Sequence, residues 1–299
     1  SIDSTPFDFG VTDDERLSLA RPTLYVAVDD FSSAIAGFLL VLTPPSYFNA
    51  VTCLSIAVGN KVEFCEHFGM QISSNEWPTE GKPAAIFADL GADWKTAIHE
   101  QTIETHHIDA KSSGAGKPDM RSVGEQVFAR IKAEVMHKIP GLVGMLVAKK
   151  AGGNDSQLDY TLMLDELNRE LLKAVITLNH KELTEWDPDP DFPADLPKTP
   201  TNIWNWGIAN RTGLLPKVDR AQFWLSTLKR EEATVTGDLL KIEKVQYRCH
   251  TFKGARVDTK IKNRMVKVAR DLDDASFIYL VPNQGESEFI KCYLSPQDR

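Results

Sequence analysis

Three acids stand on three separate stretches of this 299-residue chain: Asp3 near the start, Asp89 after a short apolar run, and Glu125 in a periodic segment. Phosphoryl transfer assisted by two metal ions needs this kind of set, because each ion must meet the attacking oxygen on one side and the leaving oxygen on the other. Hard cations such as Mg2+, with Mn2+ as a substitute, select carboxylates over imidazole or thiolate. Each acid taken singly is ordinary. An Asp that closes a strand is usually a turn residue, and a helical Glu is usually solvated.

The elements that must position these acids can be read from periodicity. Ile2 to Phe9 reads as a strand, and Leu24, Val26 and Val28 alternate in a second. Ala34 to Leu42 is a near-continuous apolar run fit for a central strand. Three successive strands joined by short turns predict an antiparallel meander. Pro44 and Pro45 then open a helix over Tyr47 to Val58. Ala84 to Ala88 makes a short buried strand that ends at Asp89, and Thr105 to Ala110 makes a weaker fifth. Lys111 to Lys117 reads as a loop. Val123, Val127, Ile131 and Val135 recur every four residues, which predicts an amphipathic helix over Asp119 to Lys138 with Glu125 one position off the apolar row. A further helix spans about Thr161 to Asn179. Strands followed by helices indicate a mixed α+β fold, one sheet covered by helices.

Trp186 to Pro200 holds five prolines and four aspartates and reads as a solvated linker, including the acidic repeat Asp187, Asp189 and Asp191. Thr234 to Thr236, Leu239 to Tyr247, Met265 to Ala269, Phe277 to Val281 and Phe289 to Leu294 then alternate like the strands of a small β-barrel. The domains expected are a catalytic domain over 1–185, a connecting segment over 186–228 and a barrel over 229–299.

Read together, the acids become specific. Asp3 stands in Ile2-Asp3-Ser4-Thr5, Asp89 in Ala88-Asp89-Leu90-Gly91, and 125 − 89 − 1 = 35 residues separate Asp89 from Glu125. The pattern resembles the DDE transposase and retroviral-integrase superfamily, where D-x-T, D-x-G and a helical Glu 35 residues on mark a ribonuclease-H-like fold. Arg21 to Ser46, Lys117 to Gly141 and Thr199 to Gly207 are similar to segments of its TnsB, TniA and phage Mu transposase branch. The resemblance covers nearly the whole chain. It implies a ribonuclease-H-like catalytic domain with a five-stranded mixed sheet flanked by helices, then an all-β barrel. It implies Asp3, Asp89 and Glu125 as ligands of two Mg2+ ions. Its reaction is cleavage at transposon 3′ ends, followed by attack of the freed 3′-hydroxyl on target DNA. The implied partners are transposon-end and target DNA, an AAA+ ATPase regulator, a companion end-cleaving nuclease and further copies assembled on DNA. Leu90, Ser33 and Asn179-His180-Lys181 depart from the branch's pattern without removing an acid. Two other readings are a DNA-binding homologue that does not cleave, which should lack one acid, and a purely hydrolytic ribonuclease-H-like nuclease, which should lack the barrel.

Composition frames these expectations. The formal charge of −8 opposes DNA binding overall, yet Lys241 to Arg270 holds ten basic and two acidic residues, a local balance of 10 − 2 = +8. Lys253, Arg256, Lys260, Lys262, Arg264, Lys267 and Arg270 are therefore the expected phosphate contacts. No apolar run reaches 18 residues, so the expected address is the cytoplasm, at the nucleoid when on DNA. Ser1 in place of a start methionine suggests a piece of a longer chain. Cys53, Cys65, Cys249 and Cys292 lack metal-site spacing and are expected as reduced thiols. His106 and His107 are expected to be structural, and Trp204 and Trp206 to anchor packing between domains.

Overall fold

The computed structural model describes residues 1–15, 17–88, 106–112, 118–138, 162–212, 215–236, 239–249, 264–270, 275–282 and 288–295. They form two compact units, Ser1–Arg220 and Ala221–Arg299. Among the described residues no helix is long and apolar enough to cross a membrane.

The first unit begins with strands β1 (Ile2–Pro6), β2 (Val11–Thr12), β3 (Ser18–Ala20), β4 (Thr23–Val28) and β5 (Ile35–Val41). Helices α1 (Tyr47–Val58) and α2 (Lys61–His67) follow, then strands β6 (Ala85–Ala88) and β7 (Asp109–Ser112). Helices α3 (Pro118–Lys138), α4 (Leu164–Asn179) and α5 (Pro200–Gly207) complete the unit, and α6 (Arg220–Thr227) begins at its last residue. The main sheet has the order β5-β4-β1-β6-β7. Its first three strands are the expected antiparallel meander, while β6 joins β1, and β7 joins β6, in parallel. This mixed sheet with helices on it is the expected α+β architecture. The seventh strand falls later than expected: Lys111 and Ser112 belong to it rather than to a loop.

All six residues of β4 are buried, so both faces of the sheet must be covered. On one face Gly37 lies opposite Ala27, and a Cβ at position 37 would stand 2.8 Å from the backbone nitrogen of Ala57 in α1. Glycine thus lets α1 lie close against the sheet. On the other face Leu24, Val26, Phe38 and Leu40 share one core with Val127, Ile131 and Val135 of α3 and Leu167, Leu171, Val175 and Leu178 of α4.

The run Ala34 to Leu42, expected as a central strand, is instead the edge strand β5. Its apolarity is explained by helices and side chains on it rather than by strands on both sides. Ile35 donates its N–H to Asn179 Oδ1 (2.9 Å), and its carbonyl accepts from Asn179 Nδ2 (3.0 Å) and Trp77 Nε1 (2.7 Å). Asn179 and Trp77 are nearly fully buried, so these bonds form away from water.

Lys61, only 2% exposed, closes the corner between α1 and α2. Its Nζ donates to the carbonyls of Ala57 (2.8 Å), Gly59 (2.7 Å) and Thr79 (2.5 Å). Two of these acceptors lie at the C-terminal end of α1, where carbonyls have no intrahelical donor.

Residues 186–200 do not behave as a free linker. Phe192 and Trp206 are buried around Ile203, with Trp186 and Leu183 packed on them, and Asp189 pairs with Arg211. Three aromatic rings supply the apolar area that the prolines and aspartates lack. Trp206 also stacks on Phe31 at the turn after β4, so it anchors packing inside the first unit.

In the second unit β8 (Lys229–Thr236), β9 (Leu239–Ile242), β10 (Val245–Arg248), β11 (Arg264–Arg270), β12 (Phe277–Leu280) and β13 (Ile290–Leu294) close a barrel in the order β10-β13-β12-β11-β8-β9. Leu239 to Tyr247, expected as one strand, breaks into β9 and β10 at Glu243, which adopts a positive φ of 51°. The expectation of four reduced thiols is corrected. Arg248 faces Tyr293 across β10 and β13, which sets the next pair, Cys249 and Cys292, 4.4 Å apart at their Cα atoms, and they form a disulfide. Cys53 and Cys65 are free and buried, and burial pushes their thiols up to about 12 and about 11.

Replacing Lys61 by Met leaves three carbonyls without their donor and is expected to cost about 2–4 kcal/mol in urea unfolding at neutral pH. Burial pushes the Lys61 amine from its ordinary value of 10.5 down to about 7. Between these values the unfolded chain holds more protons than the folded one, so this group's contribution to stability rises with pH across that window. The stability gap between wild type and Lys61→Met is therefore expected to widen from pH 7 to pH 10.

Candidate active site

Asp3 lies in β1, opposite Val26 in β4. Cross-strand partners share a face, so Asp3 stands on the side of the sheet where Val26 meets α3 and α4. It is half-buried, and its Oδ1 accepts from the N–H of Ser4 at 2.7 Å. Ser4 is on the other face, opposite Tyr25, whose hydroxyl accepts from the N–H of Ser46 at 2.8 Å and ties β4 to the cap of α1. Burial raises the Tyr25 phenol above its usual range.

The register between β1 and β6 places Ile2 beside Ala88. These are the residues that immediately precede Asp3 and Asp89. Asp89 itself lies outside the described residues, as does the side chain of Glu125. Position 125 belongs to α3, two residues before Val127, which is buried in the core beneath Asp3's face. It is also seven residues before Lys132. Seven residues are nearly two helical turns, so positions 125 and 132 lie on one row of α3, about 10 Å apart along the axis. Lys132 pairs with Asp8, just beyond the end of β1, so this row of α3 faces the β1 segment. Two of the three predicted acids are thus joined by strand register through their neighbours, and the third belongs to the helix over the same face. Among the described residues no group of three or more His, Cys, Asp or Glu side chains could hold a metal ion.

The turn from β4 to β5 carries Ser33 at a φ of 57°. Asp29 builds it, accepting from the N–H and the hydroxyl of Ser32 at 2.8 and 2.6 Å. His106 uses its carbonyl to accept from Lys82 Nζ at 2.7 Å, and burial lowers its imidazole below the usual range. Asn179, where the branch's pattern was expected to be basic, serves the edge of β5.

Of the predicted phosphate contacts, Lys253, Arg256, Lys260 and Lys262 lie outside the described residues. Arg264, Lys267 and Arg270 all belong to β11, but alternation splits them. Lys267 is exposed on the outer face, while positions 264 and 270 share the inward parity of buried Val268 at the two ends of the strand. Arg270 lies 3.4 Å from Glu231, which also pairs with Lys229 at 2.8 Å. A basic feature that the sequence reading passed over lies on the outer face of β12 and β13. There Lys291 Nζ stands 3.7 Å from the Phe277 ring centroid, with Tyr293 at 5.5 Å and Tyr279 at 5.9 Å. Its signal was available as the alternation of Phe277 with Tyr279 and of Lys291 with Tyr293.

Residues 1–141 match the family model of the TnsB C-terminal domain. The chain is 29% identical over 310 residues to the transposon Tn7 transposition protein TnsB of Escherichia coli, with 100% of this chain and 43% of that protein covered. The chain is TnsB-like. It is also 25% identical over 195 residues to the transposase for transposon Tn552 of Staphylococcus aureus, covering 64% of this TnsB-like chain and 34% of that protein. The chain spans less than half the length of the curated relatives it matches. Among solved structures, a chain of the simian T-cell lymphotropic virus intasome in complex with PP2A regulatory subunit B56 gamma aligns over 99% of this chain and 78% of its own length. Its identity is 13% and its TM-score 0.38. The catalytic core domain of BIV integrase aligns over 71% and 96% respectively, at 11% identity and a TM-score of 0.36. The relatives identify the TnsB-like chain as a homologue of transposases.

Ile131 is fully buried in the core that seats α3 on the sheet. Ile131→Ala is expected to lower stability in urea unfolding by about 2–4 kcal/mol through the cavity it leaves.

Proposed function

We propose that this TnsB-like chain carries the chemistry of a DNA transposase, with Asp3, Asp89 and Glu125 as the carboxylates of a site for two Mg2+ ions, Mn2+ substituting. The observation that carries the reading is the parallel pairing of β1 with β6. It aligns the residues before two of the acids, and covalent geometry keeps the Cα atoms of Asp3 and Asp89 within about 3.8 Å of those paired neighbours. The donor chemistry fits the group: three carboxylates offer only hard oxygens, which suit Mg2+ over softer cations.

When bound, the ions supply stabilisation for the attacking and departing oxygens of an in-line displacement at phosphorus. The chain's own part is positional. Strands β1 and β6 give two carboxylates a rigid shared base, and α3, held by Val127, Ile131 and Val135, gives the third an address set by core packing. Asp3 is steadied by the Ser4 N–H, which limits its rotation. One such site serves both cleavage at the transposon 3′ end and joining of the 3′-hydroxyl to target DNA, because both steps are displacements at phosphorus.

The barrel contributes nonspecific grip. Lys267 and Lys291 offer exposed charge to phosphates, and the rings around Lys291 offer stacking faces to bases. Transposon-end DNA, target DNA, an AAA+ ATPase regulator, a companion nuclease and further copies assembled on DNA are the partners in this reading.

The test incubates the protein with labelled end DNA, target plasmid and Mg2+. Glu125→Gln is expected to lower joining at least about a hundredfold, the scale of removing one group that stabilises transition-state charge. Equal joining by wild type and variant would reject the site. For DNA binding, Lys267→Ala is expected to reduce the slope of log K against log salt by about one. Arg270→Ala, whose charge is offset by Glu231, is expected to change it less.

A further inference from the structure

The hairpin β2–β3 stands apart from the main sheet, and one side of it forms a groove with the start of α4. The groove has a volume of about 600 Å3 and is lined by Thr12, Asp14, Glu15, Leu19, Met163 and Asp165, among others. Asp14, Glu15 and Asp165 are exposed and form no ion pair among the described residues. Their neighbour Asp13 has a structural task. Its Oδ1 accepts from the N–H groups of Glu15 at 3.0 Å and Leu17 at 2.8 Å, which fixes the turn that presents the other acids.

A second, independent observation comes from Thr12. Its backbone is committed, with the N–H donating to the Leu162 carbonyl at 2.9 Å. Its side chain is not: Thr12 is 2% exposed, lines the groove, and its Oγ1 has no hydrogen-bond partner among the described residues. A buried hydroxyl without a partner is unfavourable, and a donor entering the groove would supply one. The groove is also apolar where its acids are not, with Leu19 52% exposed inside it and Leu17 59% exposed next to it. The described acids do not converge as a metal site would. Carboxylates around an apolar floor match a long cationic side chain, whose methylene stem lies along the floor while its head meets the acids.

We propose that the groove between β2–β3 and α4 is a docking site for a basic, leucine-containing peptide segment of a partner protein. An arginine of that segment meets Asp14, Glu15 and Asp165 and donates to Thr12 Oγ1, and its apolar neighbours cover Leu17 and Leu19. The site involves none of the three acids of the catalytic reading, so the two stand or fall separately.

The probe is a fluorescein-labelled peptide of alternating arginine and leucine, titrated with the whole chain and read by anisotropy. Wild type is expected to bind at least about tenfold more tightly than Asp14→Lys/Glu15→Lys, and Thr12→Val several-fold more weakly than wild type with an unchanged circular-dichroism melt. Citrulline in place of arginine is expected to abolish binding, while DNA joining by the charge-reversed variant stays at the wild-type level. Equal binding by wild type and the charge-reversed variant, or equal binding of the citrulline peptide, overturns the proposal. So does equal binding of a peptide with glycine in place of leucine, which would leave only a generic attraction for cations. Should Thr12→Val fail to fold, the reversal at the two exposed acids still decides the matter.

Discussion

The first unit depends on the burial of β4 on both faces. A strand with no solvated side cannot exist without cover above and below, and that requirement recruits α1 to one face and α3 with α4 to the other. The two covers differ. Small residues, Ala27 and Gly37, draw α1 close, whereas bulky ones, Val26 and Phe38, meet the aliphatic rows of α3 and α4. Asp3 sits at the margin of the bulky face. Its neighbourhood is therefore built by hydrophobic packing before any ion or DNA is considered.

Much of this was legible in the chain. The four-residue recurrence of Val127, Ile131 and Val135 identified α3 and its buried face, because a helix repeats about every 3.6 residues and the core sits on one side of it. Alternation at Leu24, Val26 and Val28 found β4. Alternation also found the strands of the barrel, since inward positions there must be apolar and outward ones need not be. The 35-residue interval between Asp89 and Glu125 drew its meaning from resemblance, while the strand register that brings β1 and β6 together is visible only in three dimensions.

The misreadings share a cause. Apolarity reports burial, not what does the burying, so Ala34 to Leu42 looked central although helices and an asparagine cover its edge. Prolines and aspartates concealed the three rings that fold residues 186–206 onto the first unit. Cys249 and Cys292 are 43 residues apart, and only barrel closure makes them neighbours. Lys61 gave no signal at all, because its three acceptors are carbonyls and carbonyls are present at every residue.

The asparagine at the edge of β5 has a consequence for how copies of this chain can meet. A bare outer strand exposes N–H and C=O groups in the pattern another strand requires, and two such edges can zip into a continuous sheet. Asn179 occupies both groups of Ile35, and Thr79 adds its hydroxyl toward the carbonyl of Ala36. The main sheet is thereby refused as a template at that edge. Crowding of many copies on one stretch of DNA then leaves their sheets separate, and contacts between copies fall to surfaces that can discriminate by charge and shape.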